Sequence, residues 1–312
     1  MPIYPNPKIP PPPKPSGDSM HGVIVPLVTP FNEDYSIDVP ALEEHVEYLQ
    51  KAGVHGIFIN ATTGEFTSLN LEERKFLAEK GRELVTSAFY LVGTASSNTF
   101  EVVELTRHAQ DIGTDYAVIA PPYYCPLSEE ALFKHYSIIA EKTDIPIILY
   151  NIPSCANPLS VPLVKRLALE YSNIAGVKET IDSVNHVRDV ILEVKGERKD
   201  FKVFTGLDGH FLNTLLLGGD GGIMACANFA PELHLSVWKA FQEKRFEDAF
   251  EGARRLAKLS RVYDLASSFG SAIKLAMSLR GFSIKPVLRP PYVMDGEETK
   301  EEIGKLLAEV LG

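Results

Sequence analysis

From Gly22 to about Pro231 the chain alternates between short apolar runs and longer stretches with helical spacing, and nothing else in it constrains the fold so tightly. The runs occupy residues 22–27, 56–60, 89–93, 115–120, 146–150, 174–178, 202–205 and 221–225. Most are too short for helices and rich in β-branched residues, as in strands of a parallel sheet buried on both faces. Amphipathic stretches fill the gaps, among them 38–52, 71–85, 100–110, 128–141 and 161–169, and Gly53 stands as a stop signal after the first. Eight strand–helix units over about 250 residues are the signature of a (β/α)8 barrel. The rival, a doubly wound open sheet, favours a glycine-rich phosphate loop after its first strand. Val28-Thr29-Pro30-Phe31 is not such a loop.

The helical period persists beyond the eighth unit, at 232–243, 246–258, 272–279 and 297–311. That is more helix than the barrel needs. It predicts a division into residues 21–230 for the barrel and 231–312 for its last helix plus a C-terminal helical subdomain, with Gly281 capping one of those helices. Residues 1–20 hold Pro10-Pro11-Pro12-Pro13 and read as a disordered, proline-rich leader, with Met20 as an alternative start.

The net charge of −10 argues against nucleic acid or an anionic membrane as the main partner. No apolar run reaches transmembrane length, and the start lacks the order of a signal peptide. Cys125, Cys155 and Cys226 are too few and too scattered for a disulfide framework and lack the paired spacing of zinc ligands. They read as small packing residues in a cytoplasmic protein with no metal and no cofactor.

Catalytic groups of such barrels sit at the C-terminal strand ends and in the loops that follow. Those positions hold Ala61-Thr62-Thr63-Gly64-Glu65, Tyr123-Tyr124, Tyr150-Asn151-Ile152-Pro153, Lys178, Gly206 and Ile223. Lys178 ends an apolar strand, where an unpaired ammonium is costly. A lysine there either reaches solvent or gives up its proton and becomes a nucleophile for a carbonyl carbon. The iminium formed on a ketone acts as an electron sink for a carbanion next to it. Hydroxyls and N–H groups of the Thr62-Thr63 turn suit a neighbouring carboxylate, with Gly64 allowing close approach. Tyr150, one strand away, is placed to shuttle protons. Each feature has a plainer reading: a solvated strand-end lysine, an ordinary turn, an aromatic packing pair at Tyr123-Tyr124. Their joint placement on one barrel face favours the chemical one.

The set Ala61-Thr62-Thr63-Gly64-Glu65, Tyr123-Tyr124, Tyr150-Asn151-Ile152-Pro153 and Gly176-Val177-Lys178-Glu179-Thr180 resembles the dihydrodipicolinate synthase/N-acetylneuraminate lyase superfamily, in order and spacing, from about Gly22 onward. The resemblance implies a TIM barrel with a C-terminal helical subdomain and a pyruvate-type Schiff base on Lys178. It implies Thr62, Tyr150 and Tyr124 as its helpers, Tyr124 reaching into a neighbouring subunit of a homotetramer built from dimers. Thr62 and Thr63 would hold the pyruvate carboxylate, and Gly206 and Ile223 would line the pocket.

Two departures stand out. Ala61 replaces the usual glycine, which is tolerable if its φ is negative. Cys155 stands where dihydrodipicolinate synthases usually carry an arginine for their acidic aldehyde. Within the superfamily, Thr180-Ile181-Asp182-Ser183-Val184, the segment 206–221 and Asn228-Phe229-Ala230-Pro231 resemble the 2-keto-3-deoxygluconate-type aldolases. That implies cleavage of a 2-keto-3-deoxy sugar acid to pyruvate and a hydroxyaldehyde, with Asn151, Ser154, Glu65 and Asn157 as polar groups for the sugar tail. Condensation of pyruvate with aspartate semialdehyde, dehydration of a related keto acid, and an idle keto-acid-binding barrel are the alternatives. His186 and His210 read as surface residues of helices.

Overall fold

The computed structural model describes residues 19–312. The leader lies outside the described residues except for Ser19 and Met20, and Met20 corrects its boundary. Its side chain is fully buried with Ile24, Phe89 and Leu91 in the cluster that fills the barrel interior.

Eight parallel strands close into a barrel in simple sequential order: β1 (Gly22–Pro26), β2 (Gly56–Ile59), β3 (Phe89–Gly93), β4 (Tyr116–Ile119), β5 (Ile147–Asn151), β6 (Ile174–Glu179), β7 (Lys202–Thr205) and β8 (Gly221–Ile223). The helices α1 (Val39–Ala52), α2 (Leu71–Leu84), α3 (Thr99–Asp111), α4 (Glu129–Lys142), α5 (Val161–Glu170), α6 (Val184–Asp189), α7 (Phe211–Leu216) and α8 (Pro231–Gln242) follow the strands in turn. Their starts are set by local chemistry. Asn70 and Glu73 form a reciprocal capping box on α2, and Asp38, Ser128 and Ser160 accept N–H bonds at the starts of α1, α4 and α5. Gly53 ends α1 at φ 88°, a left-handed value that glycine adopts freely.

Side chains sort by strand parity. Ile24, Phe58, Leu91, Val118, Ile148, Tyr150, Phe204 and Ile223 fill the barrel, while Val23, Val25, Ile57, Val92, Leu149 and Val177 face the helices. Strand β6 breaks its own alternation. Ile147 pairs with Ile174 but Ile148 pairs with Gly176, so Ala175 is an extra residue, a bulge. Ile174 therefore faces out with Ile147, and Lys178 faces in with its partner Tyr150.

The C-terminal subdomain consists of α9 (Phe246–Leu259), α10 (Val262–Leu265), α11 (Phe269–Leu279) and α12 (Glu297–Leu311). Helix α9 packs on α8, and α11 contacts the turn that follows β2. Gly281, at φ 79°, terminates α11. The sequence pattern did not resolve α6, which continues into a π-helical turn at Val190–Lys195, nor the short α7 and α10. Four to six residues are too few to show a helical period. Among the described residues no helix is long and apolar enough to cross a membrane.

Candidate active site

At the C-terminal end of the barrel, Lys178 projects inward from β6 and is 4% exposed. Its Nζ lies 3.9 Å from the centroid of the Tyr150 ring and 5.6 Å from that of Phe58. Among the described residues no carboxylate comes within ion-pair distance of it. The amine thus sits between aromatic faces with no fixed counter-charge, so a bound anion has no internal carboxylate to displace. Gly206, at the end of β7, leaves room for it: a Cβ there would lie 3.0 Å from Lys178 Cε and 1.9 Å from Thr180 Oγ1. Ile223, fully buried, closes the interior beside Phe204 and Tyr150.

After β2, Thr62–Gly64 forms a single 3₁₀ turn. Gly64 and Glu65 donate their N–H groups back to Ala61 and Thr62 carbonyls, leaving the N–H groups of Thr62 and Thr63 without a carbonyl inside the turn. The Thr62 and Thr63 hydroxyls have no hydrogen-bond partner among the described residues, and neither does the Tyr150 hydroxyl. Gly64 is needed where it stands, since a Cβ would meet the Leu27 carbonyl oxygen at 2.8 Å. Ala61 has φ −78°, so the methyl in place of glycine carries no strain, as its sequence position requires.

Several sequence-assigned residues do other work. Asn151 follows Tyr150 and so points out of the barrel. Its amide donates to Glu179 Oε2 at 2.8 Å and to the Leu159 carbonyl, and its oxygen accepts from Leu159 N–H at 3.0 Å. It is a fully used, buried bracket between loops, not a substrate contact. Asn157 clamps the loop after β4, donating to the carbonyls of Pro122 and Cys125 and accepting from Leu127 N–H. Glu65 is buried in an ion pair with Lys274 and is likewise unavailable to a sugar tail. Ser154 and Cys155 do stand exposed at the mouth.

Tyr124 is 99% exposed at φ 79° and contributes nothing to the burial of Lys178 in its own chain. Its neighbour Tyr123 instead packs edge-on against Phe66. The packing role read for the cysteines holds for Cys226 alone. Cys125 and Cys155 are exposed, and all three are free thiols. His186 is no surface residue: half-buried, it lies 3.4 Å from Glu179 Oε2 and donates toward the Leu159 carbonyl. The Glu179 carboxylate raises its pKa. Sequence reading missed Thr180, whose Oγ1 is buried beside Gly206 without a partner. Its signal was present, two residues after Lys178 on the same strand face.

The structure is thus a parallel eight-stranded (β/α)8 barrel with a buried amine among unspent hydroxyls at its C-terminal mouth. The sequence profile of the Dihydrodipicolinate synthetase family matches residues 19–310, and the chain belongs to that family. A DapA-like lyase of Thermococcus onnurineus is 85% identical over 94% of this chain and all of its own length. A protein of Escherichia coli named probable 2-dehydro-3-deoxy-D-pentonate aldolase YjhH is 40% identical over 92% of this chain and 96% of its own. The structure of Escherichia coli YagE in complex with pyruvate superposes with a TM-score of 0.91 at 38% identity, covering 93% of this chain and 98% of that one.

Proposed function

We propose that the protein is a Schiff-base aldolase that cleaves a 2-keto-3-deoxy sugar acid, such as 2-keto-3-deoxygluconate, to pyruvate and a hydroxyaldehyde. The observation that carries this reading is the Lys178 amine, buried without a carboxylate partner and set 3.9 Å over the Tyr150 ring. The free amine adds to the ketone carbon, and loss of water leaves an iminium. The substrate carboxylate binds the N–H groups and hydroxyls of Thr62 and Thr63, with Gly64 letting it approach the backbone. Tyr150, assisted by Thr62, takes the proton of the C4 hydroxyl. The C3–C4 bond then breaks, its electron pair passing into the iminium to give an enamine as the aldehyde leaves. Protonation at C3 and hydrolysis release pyruvate and restore Lys178. Gly206 and Ile223 bound the space around the imine.

The sugar acid is favoured over aspartate semialdehyde because Cys155 offers no positive charge at the mouth, and because YjhH is named for a 2-keto-3-deoxy acid. Ser154 and Cys155 face the distal hydroxyls. The exposed Tyr124 completes the site of a second copy, in a homotetramer built from dimers. The working compartment is the cytoplasm, whose reducing poise keeps Cys125 and Cys155 as thiols.

Incubation with pyruvate and borohydride, followed by mass measurement, tests the first half. A covalent adduct is expected in the wild-type protein and none in Lys178→Ala. Cleavage of 2-keto-3-deoxygluconate is then compared with condensation of pyruvate and aspartate semialdehyde. Faster turnover of the semialdehyde rejects the substrate assignment.

A further inference from the structure

The Thr62–Gly64 turn is bracketed by two non-glycine residues in the left-handed region, Asn60 at φ 57° and Glu65 at φ 55°. Such residues persist where their surroundings over-determine them, often at functional sites. Asn60 is held by its amide, which donates to the Arg74 carbonyl at 2.8 Å. Glu65 is held from the far end of the chain. Its Oε1 accepts from Lys274 Nζ on α11 at 2.6 Å, and its Oε2 accepts from Arg289 N–H at 3.0 Å. Lys274 is fully buried, donates also to the Val287 carbonyl at 2.7 Å, and rests its charge 4.5 Å from the centre of the Phe31 ring. On the opposite flank Thr29 Oγ1 donates to the Gly64 carbonyl at 2.7 Å.

A buried ion pair adds little net stability over a well-packed apolar pair, and its better-attested use is to specify one arrangement. Here the arrangement specified is that of the only free N–H groups in the turn. We propose that Glu65 and Lys274 are positioning residues for the keto-acid carboxylate, holding the Thr62–Gly64 turn in binding geometry from the C-terminal subdomain. This rests on the assignment of that turn as the carboxylate site. Without Lys274, the buried Glu65 carboxylate keeps the Arg289 N–H but loses its buried counter-charge and turns toward water, releasing its left-handed backbone. The N–H groups of Thr62 and Thr63 lose their aim. Lys178 and Tyr150, on β6 and β5, keep theirs.

The test is borohydride trapping against pyruvate concentration in full-length wild type, Lys274→Met and Glu65→Gln, with thermal melts alongside. The half-saturating pyruvate concentration is expected to rise about tenfold in Lys274→Met, equivalent to about 1.4 kcal/mol of lost binding. The rate at saturation should change by less than about twofold, because an aim lost only by the binding turn does not alter the reacting groups. Glu65→Gln keeps the shape and one acceptor and should shift half-saturation in the same direction by less. If Lys274→Met melts earlier but binds pyruvate as wild type does, the pair is only structural and the proposal falls. If Lys274→Met does not fold, Glu65→Gln decides, and wild-type half-saturation there overturns the proposal. Absence of trapping in the wild type itself rejects the Schiff-base reading instead, a different result from normal trapping with unchanged half-saturation.

Discussion

Gly206→Ala isolates the space around the amine from its chemistry. The backbone at this glycine needs no left-handed φ, so any effect of a methyl group arises from contact alone. That methyl would lie 1.9 Å from Thr180 Oγ1 and 3.0 Å from Lys178 Cε. Ordinary contact begins near 3.4 Å, so the Thr180 hydroxyl must retreat by more than 1 Å and the lysine stem by a few tenths. Overpacking of this kind costs about 1–3 kcal/mol of stability. Displacing a reacting group by about 1 Å costs on the order of 10²-fold in rate. The lysine stem moves by less than half of that, so Gly206→Ala should melt a few degrees lower and form the pyruvyl adduct about fivefold more slowly, with the adduct still on Lys178. The assay is single-turnover trapping at saturating pyruvate, with peptide mapping of the modified lysine. Trapping at the wild-type rate in a folded Gly206→Ala protein would refute the claim that this glycine makes room for the reacting lysine.

Other substitutions separate the remaining roles. Tyr150→Phe should retain the fold and lower kcat by about 10²–10³-fold, the range for loss of a general acid–base group, measured by steady-state cleavage. Asn151→Ala should lower stability by about 1–3 kcal/mol in denaturant titration, because it strips a donor from the buried Glu179, while leaving the KM of the active fraction unchanged. Acid should destabilise the protein in a defined window. Burial pulls His45, His55 and His135 from an ordinary 6.5 down to about 4, so they are neutral in the fold and take up protons on unfolding. Their contribution is fully present above pH 6.5 and is lost as pH falls toward 4, at up to about 1.4 kcal/mol per pH unit for a fully buried histidine. His55 contributes less, being partly exposed. Melting temperatures from pH 7.5 to 4.5 check this, and His45→Gln should make the slope shallower.

The barrel was legible in the sequence because its signal is repeated eight times, and an error in one run is corrected by its neighbours. The gathering of Lys178, Tyr150 and the Thr62–Gly64 turn at one end of the barrel was legible because each lies at or just after the end of a strand. Roles that depend on which way a side chain points were not. Asn151 lies next to Tyr150 in sequence and on the other side of the wall. Glu65 and Lys274 are more than two hundred residues apart, and the lysine sits in the apolar pattern of α11, where only the partner explains it. Tyr124 is 99% exposed in its own chain, whereas its sequence neighbour Tyr123 packs against Phe66, a difference that adjacent tyrosines do not announce.

The extra residue at Ala175 gives β6 a mechanical property that its seven neighbours lack. In an unbroken strand, Ile174 and Lys178 are an even number of residues apart and would share a side. A change that rotated one would then rotate the other. With slack between them, the first half of the strand is free to follow the helices outside while the second half keeps the amine turned inward. Repacking around Ile174 is thereby insulated from the Lys178 amine. Ala175 is also the place on this strand where a residue can be deleted without reversing the lysine, since removal leaves Gly176 beside Ile148 and restores simple alternation.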